Sequence, residues 1–394
     1  MILKLDMLQT MTLAILVYYL GNLIKNRVKI LDKFCIPSPV IGGLIFAILN
    51  LILKESNLLE ISLDTTLQKP FMMVFFTTIG LTASVKLIKK GGKHVIAFFF
   101  VSLMLIFSQD LIGIGIAKLM NANPLLGLIC GSVTMVGGHG TGAAFGALFE
   151  KSYNFAGATT AAMAAATFGL ITGSLLGGPV GRKLIVKNNL EHSIHEIELI
   201  HENKEESLSY EGIFKTLFII MISISIGSIL EHYLSKLGLT FPSYITTMVI
   251  ASLILNVGES TNKLEINEKC ADLLGRIGLN IFLSMALINL KLWELSQLAL
   301  PLIVILVAQA IIMFVFAYFI AFRLCGRDYD AAVISSGFCG FGMGATPNGM
   351  ANMEALVEKF GPAPRAFFVL PIVGAFFIDF ANSVVITLIL NFFK

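Results

Sequence analysis

The sequence predicts an all-α, polytopic membrane protein built from two inverted repeats of five transmembrane helices, each repeat with a re-entrant hairpin. Three observations carry this. Of 394 residues, 56% are hydrophobic and only 13% charged, a composition that soluble domains do not reach. Apolar runs approaching the roughly 20 residues that cross a bilayer recur along the whole chain. Two glycine-rich segments with polar residues are left between those runs, one in each half.

The first apolar run, 8–24, is followed by Lys25, Arg27, Lys29 and Lys33 rather than by a small-residue cleavage site. A retained helix is therefore expected, not a cleaved signal peptide. Further spans are expected at 38–53, 70–85, 94–117, 155–181, 213–229, 242–255, 277–292, 298–321 and 363–392. With both termini outside, 20 of the 28 Lys and Arg residues fall on the cytoplasmic side, as the positive-inside rule requires. That count holds only if the leftover segments, near 124–150 and 331–355, each enter and leave the membrane on one side. The first repeat then occupies 1–182 and the second 213–394, joined by a cytoplasmic Glu- and Lys-rich linker at 183–212.

The halves echo each other. "GLTASVKL" places Lys86 opposite Lys291 of "ALINLKL", Gln109 answers Gln309 in mid-span, and "GGHGTG" answers "GFGMGAT". An odd number of spans per half turns the second repeat upside down, an arrangement found in secondary transporters.

Non-helical backbone survives at membrane depth only against protein or a water-filled cavity. Gly137, Gly138, Gly140 and Gly142, and Gly340, Gly342 and Gly344, permit such backbone. Helix N-termini at the breaks suit carboxylates and freed carbonyls suit sodium. Thr141 in the first segment, and Ala345, Thr346, Pro347 and Asn348 in the second, add hydroxyls, an amide and a helix break. Gly42, Gly43, Gly177 and Gly178 are read instead as close helix packing. His139 has no partner ligands in the sequence for a metal and is expected to cap a helix or face substrate. Asp379 and Asn382 share one face of the last span, and a carboxylate in mid-membrane is functional by default. Gln109 and Gln309 are expected near the site, with Asp110, Thr77, Thr78, Thr167 and Asn289 as further polar residues within spans.

Other chemistries lack their signatures. "GFGMGATPNG" contains GxG without the strand a dinucleotide fingerprint must follow, and the Gly-Lys-Ser/Thr of a P-loop is absent. The five cysteines stand singly, without a redox or metal pattern. A net charge of +3, clustered at span ends, points to topology and not to nucleic acid. An intramembrane enzyme would need paired carboxylates, a Ser/His pair or a metal cluster. A passive channel rarely needs two inverted polar hairpins.

The stretches "VGGHGTGAAFG", "GFCGFGMGATPNGMANM" and "GPAPRAFFVLPIVGAFFIDFANS", together with "PSPVIGGL", "FFTTIGL" and "LKLWELSQLALP", closely resemble the bacterial sodium/glutamate symporter family. The resemblance implies a sodium-coupled importer of glutamate in the bacterial inner membrane, with sodium as coupling ion and no other cofactor. It also implies a homodimer in the lipid bilayer whose hairpin-bearing transport domain moves, elevator-like, against a scaffold. The scaffold is expected from the first, second, sixth and seventh spans. Carried over, the hairpin tips become Gly137 to Gly142 and Gly340 to Asn348, with Asp379 and Asn382 nearby; sodium is expected near Thr77, Thr167, Asn348 and Asp379. Another dicarboxylate or hydroxycarboxylate anion is the alternative substrate; Asp379, a partner for an ammonium group, favours glutamate.

Overall fold

The computed structural model describes residues 2–33, 36–56, 58–190, 208–236, 243–261, 266–294 and 298–391. Most of the expected linker, 191–207, and Cys35 lie outside the described residues. Among the described residues the chain is helical, except for one pair of short strands that the sequence reading did not anticipate. β1 (Ile2–Leu5) pairs in parallel with β2 (Glu60–Leu63). The pairing brings the chain start beside the end of the second span.

α1 (Met7–Arg27) opens on a capping box: Asp6 accepts the Leu8 and Gln9 N–H groups at 2.9 and 2.8 Å, and Gln9 accepts the Asp6 N–H in return. α2 (Lys29–Lys33) leads to α3 (Ser38–Glu55), which begins with proline in its first turn, where a missing N–H costs nothing. α1 and α3 cross at Gly21 and Gly42; a Cβ on Gly42 would stand 1.9 Å from the Val17 carbonyl oxygen. Gly43 packs as closely on Leu287, and Gly177 on Asn352, as expected for small residues at helix crossings. Gly178 does not: nothing lies within 4 Å of its Cβ position.

α4 (Gln68–Gly80) is followed by α5 (Val85–Leu119), whose N-terminal turn is capped from α10 (Ser243–Thr261), Asn256 accepting the Val85 N–H at 2.8 Å. Gly92, at φ +61°, breaks α5, and the span proper runs Gly92–Leu119. α6 (Pro124–Leu128) continues as a π-helical turn to Val133, and α7 (Gly138–Ser152) and α8 (Ala158–Lys187) complete the first half. In the second half, α9 (Tyr210–Lys236), α10 and α11 (Glu268–Ile288) precede α12 (Ala299–Val315), which continues through a π-helical Phe316–Ala321 into α13 (Phe322–Leu324). α14 (Tyr329–Gly342), α15 (Thr346–Phe360), α16 (Pro364–Ile372) and α17 (Ile378–Asn391) follow, the last two joined by a π-helical Val373–Phe377.

Seven described helices are long and apolar enough to span a membrane, against ten expected spans. α4 has only 13 residues, α10 carries Thr, Ser, Asn and Glu, and the final span is interrupted between α16 and α17. Packing follows a repeated scheme. α1 lies on α3 and α9 on α10; α3 then packs on α11 and α10 on α4, while α4 and α11 pack on each other. The largest buried cluster lies around α5, α8 and the two broken segments.

Candidate functional site

The break in the first glycine-rich segment is built around an aspartate. Gly131 leaves helical geometry (φ −88°, ψ −140°), which frees the Ser132 N–H. Asp110 of α5, fully buried, accepts that N–H at 2.8 Å and the Ser132 hydroxyl at 2.9 Å. A side chain at 131 would collide with this carboxylate, its Cβ falling 2.7 Å from Oδ1. On the other side Asn382 of α17 donates to the Ser132 carbonyl at 3.0 Å. The chain turns at Val136–Gly137 and re-enters helix at Gly138, whose φ of +58° is left-handed.

The second break, between Gly342 and Thr346, is braced by amides. Gln109 donates to the Gly342 carbonyl at 2.9 Å, and Gln309 donates to the Gln109 carbonyl at 2.8 Å. Asn348 reaches the Leu170 carbonyl and Asn352 the Gly173 carbonyl, both at 3.0 Å, which fastens α15 to α8. Gly340 lets α14 meet the backbone of Asn348, and Gly342 fits against Leu105 and Met313. The two tips approach each other directly, a Cβ on Gly138 standing 3.0 Å from the Gly344 carbonyl oxygen.

Between the tips lies a cavity of about 260 Å³. Gly137, Gly138, His139, Gly140 and Thr141 line it from the first break, and Gly344, Ala345, Thr346 and Pro347 from the second. Asp379 and Gly374 line it from the interrupted last span, Phe75 and Ile79 from α4, and Leu279, Asn280 and Leu283 from α11. Both α7 and α15 start here, so the positive ends of two helix dipoles and their unbonded first-turn N–H groups face one space. Asp379 is partly exposed to it. His139 Nε2 lies 3.0 Å from the Thr167 hydroxyl, which itself donates to the Met163 carbonyl. That spends the Thr167 proton, so Nε2 is the donor and a neutral ring keeps Nδ1 as acceptor.

Several sequence-selected residues lie behind the cavity wall. Gln109, Gln309, Gly340, Gly342, Asn348 and Asn382 hold the breaks in shape, and Gly142 packs on Thr134 and Ala162. Thr77 is buried in α4 with its hydroxyl donating to Met73, and Thr167 meets the site through His139. The carbonyl oxygens of the Gln109, Gln309, Asn348 and Asn382 side chains are buried without a hydrogen-bond partner. Sequence reasoning passed over Asn280 and Phe75. Asn280 carried a signal, an amide in the middle of an apolar span; Phe75 carried none.

Compared with known proteins, residues 3–362 match the family model described as sodium/glutamate symporter. A protein of Escherichia coli (strain K12) named sodium/glutamate symporter is 42% identical over 391 residues, covering 98% of each chain. One of the same name from Haemophilus influenzae is 40% identical over 382 residues, covering 95% of each.

Proposed function

We propose, from the premise that this chain belongs to the sodium/glutamate symporter family, that it is a secondary active transporter importing glutamate by symport with sodium. The observation that carries the reading is the convergence of two broken hairpins and Asp379 on one cavity. Glutamate carries two carboxylates and one ammonium group. The cavity offers two helix N-termini and one carboxylate, the complementary set. The α7 terminus with Thr141 takes one substrate carboxylate, the α15 terminus with Thr346 takes the other, and Asp379 pairs with the ammonium group. A dicarboxylate lacking that group would leave Asp379 facing anions, which favours glutamate over the alternative substrates.

Sodium, a hard cation, is coordinated by carbonyl and amide oxygens at the breaks. The unpartnered amide oxygens of Asn348 and Asn382 support that placement, as do Asp379, which lines the cavity, and Thr167, which meets it through His139; Thr77 is the fourth proposed neighbour of the ion. Because substrate and ion share the hairpins, each orders backbone the other needs, and binding of one strengthens the other.

The repeated packing scheme supports two inverted five-helix repeats, and the tip-to-tip approach supports hairpins that re-enter from opposite faces. In this arrangement α1, α3, α9 and α10 form the scaffold and the hairpins move with α5, α8, α12 and α16–α17, elevator fashion. The protein works as a homodimer in the bacterial inner membrane with both termini periplasmic, the orientation that the basic-residue bias supports.

The test is binding to purified protein. Glutamate is expected to bind about 5- to 150-fold more tightly in sodium than in potassium, and Asp379→Ala to weaken glutamate far more than glutarate, which has no ammonium group. Equal weakening of the two ligands would remove Asp379 from that role.

A further inference from the structure

A second cavity, of about 330 Å³, opens at the far end of α8 from the start of that helix, outside the transport site. Lys187 and Asn188 line it from α8, and Tyr318, Phe319, Arg323 and Arg327 from the π-helical end of the α12 span and the turn beyond. Three cations from two helices thus share one pocket, and no carboxylate is among its lining residues. The cations are organised rather than merely solvated. Lys183 and Lys187, one turn apart, stand 5.5 and 5.7 Å from the Tyr318 ring, and the Arg323 guanidinium 6.0 Å from the Phe319 ring.

Arg327 is the most telling. Its φ of +58° is left-handed, a conformation that asparagine or glycine adopts with less strain, yet an arginine stands there. Its N–H returns to the Phe322 carbonyl at 3.0 Å and closes the helix end, which turns the residue back toward the pocket it lines. Around the cations, Val186, Phe319 and Leu324 are exposed apolar residues at the ends of membrane-length helices. Cations beside exposed apolar surface at a span end match the two ends of a phospholipid.

We infer that this pocket binds the phosphate headgroup of an anionic phospholipid. Arg323, Arg327 and Lys187 contact the phosphate diester, and the acyl chains descend along the exposed apolar face of α12, where Val315, Ile311 and Val307 lie. Basic pockets between transmembrane helices on the cytoplasmic side take such headgroups. The basic-residue bias puts this end of the protein there.

The experiment measures the thermal unfolding midpoint of the full chain in neutral detergent, titrated with short-chain phosphatidylglycerol, phosphatidylcholine of the same chain length, or inorganic phosphate. Phosphatidylglycerol is expected to raise the midpoint saturably and the other two to leave it unchanged. Arg323→Gln and Arg327→Asn are each expected to weaken the apparent affinity about fivefold. Arg327→Asn is suited to the left-handed backbone and therefore should stay folded. Arg27→Gln with Lys29→Gln, which removes two charges from another span end, is expected to keep the full response. Equal shifts with both lipids, a shift with inorganic phosphate alone, or an undiminished response in Arg327→Asn would each overturn the inference. So would no shift in the unmodified protein.

Discussion

Replacing Gly138 by alanine separates the role of the two facing tips from simple stability. Gly138 has φ +58°, where a Cβ costs about 1–2 kcal/mol. Gly157, at the start of α8, has φ +76° and would incur the same backbone cost in Gly157→Ala. Only at position 138 does the new methyl also meet the opposite tip, at 3.0 Å from the Gly344 carbonyl oxygen. That contact is tighter than a methyl group accepts, so the tips must part by a few tenths of an ångström. Both variants are therefore expected to lose stability through the backbone, and Gly138→Ala in addition strains the state in which, on the proposed reading, the tips hold substrate. A penalty of about 1–2 kcal/mol on that state weakens glutamate binding about 5- to 30-fold. The assay is glutamate affinity in saturating sodium, beside the unfolding midpoint of each variant. Equal glutamate affinity in the two variants at equal stability would refute the claim that tip approach belongs to binding.

Other outcomes follow from the same geometry. Asp110→Ala leaves the Ser132 N–H and hydroxyl buried without acceptors and is expected to cost about 1–3 kcal/mol for each group, read as a lowered unfolding midpoint; Ser132→Ala should cost less. Gln109→Leu removes the donor to the Gly342 carbonyl and should destabilise the protein while leaving the ratio of glutamate to glutarate affinity unchanged. Burial raises the Asp328 carboxyl, but the hydrogen bond from Arg365, the Ala331 N–H and the Arg365 charge outweigh it and hold it below the ordinary value. Its contribution to stability is thus present above the unfolded carboxyl pKa and is lost as pH falls through the lowered folded value. Asp328→Asn, which can keep the cap on Ala331, should flatten the acid limb of the midpoint-against-pH curve.

What the sequence made legible was whatever repeats or is costly to place. Seven of the ten expected spans announced themselves by apolar length, and the two helix breaks by glycines that interrupt it, because backbone at membrane depth must be either helical or enclosed. Asp379 stood out as a carboxylate within an apolar run and lines the cavity. The partners of polar residues were less accessible. Asp110 was visible as an aspartate in a span, but its bonds to Ser132 cross from one helix to the next, and no local pattern encodes that pairing. Gln109 and Gln309 were expected at the site and instead brace the breaks from behind. The β1–β2 pair was missed because four-residue strands at the ends of apolar runs carry no periodicity of their own.

Coupled movement of glutamate and sodium is the function proposed for the cavity between the two breaks. Uptake of labelled glutamate into proteoliposomes, with and without an inward sodium gradient, tests it most directly. Accumulation is expected to need the gradient, to be blocked by excess unlabelled glutamate and to be lost in Asp379→Ala. Uptake that is indifferent to the sodium gradient, or that persists in Asp379→Ala, would contradict it.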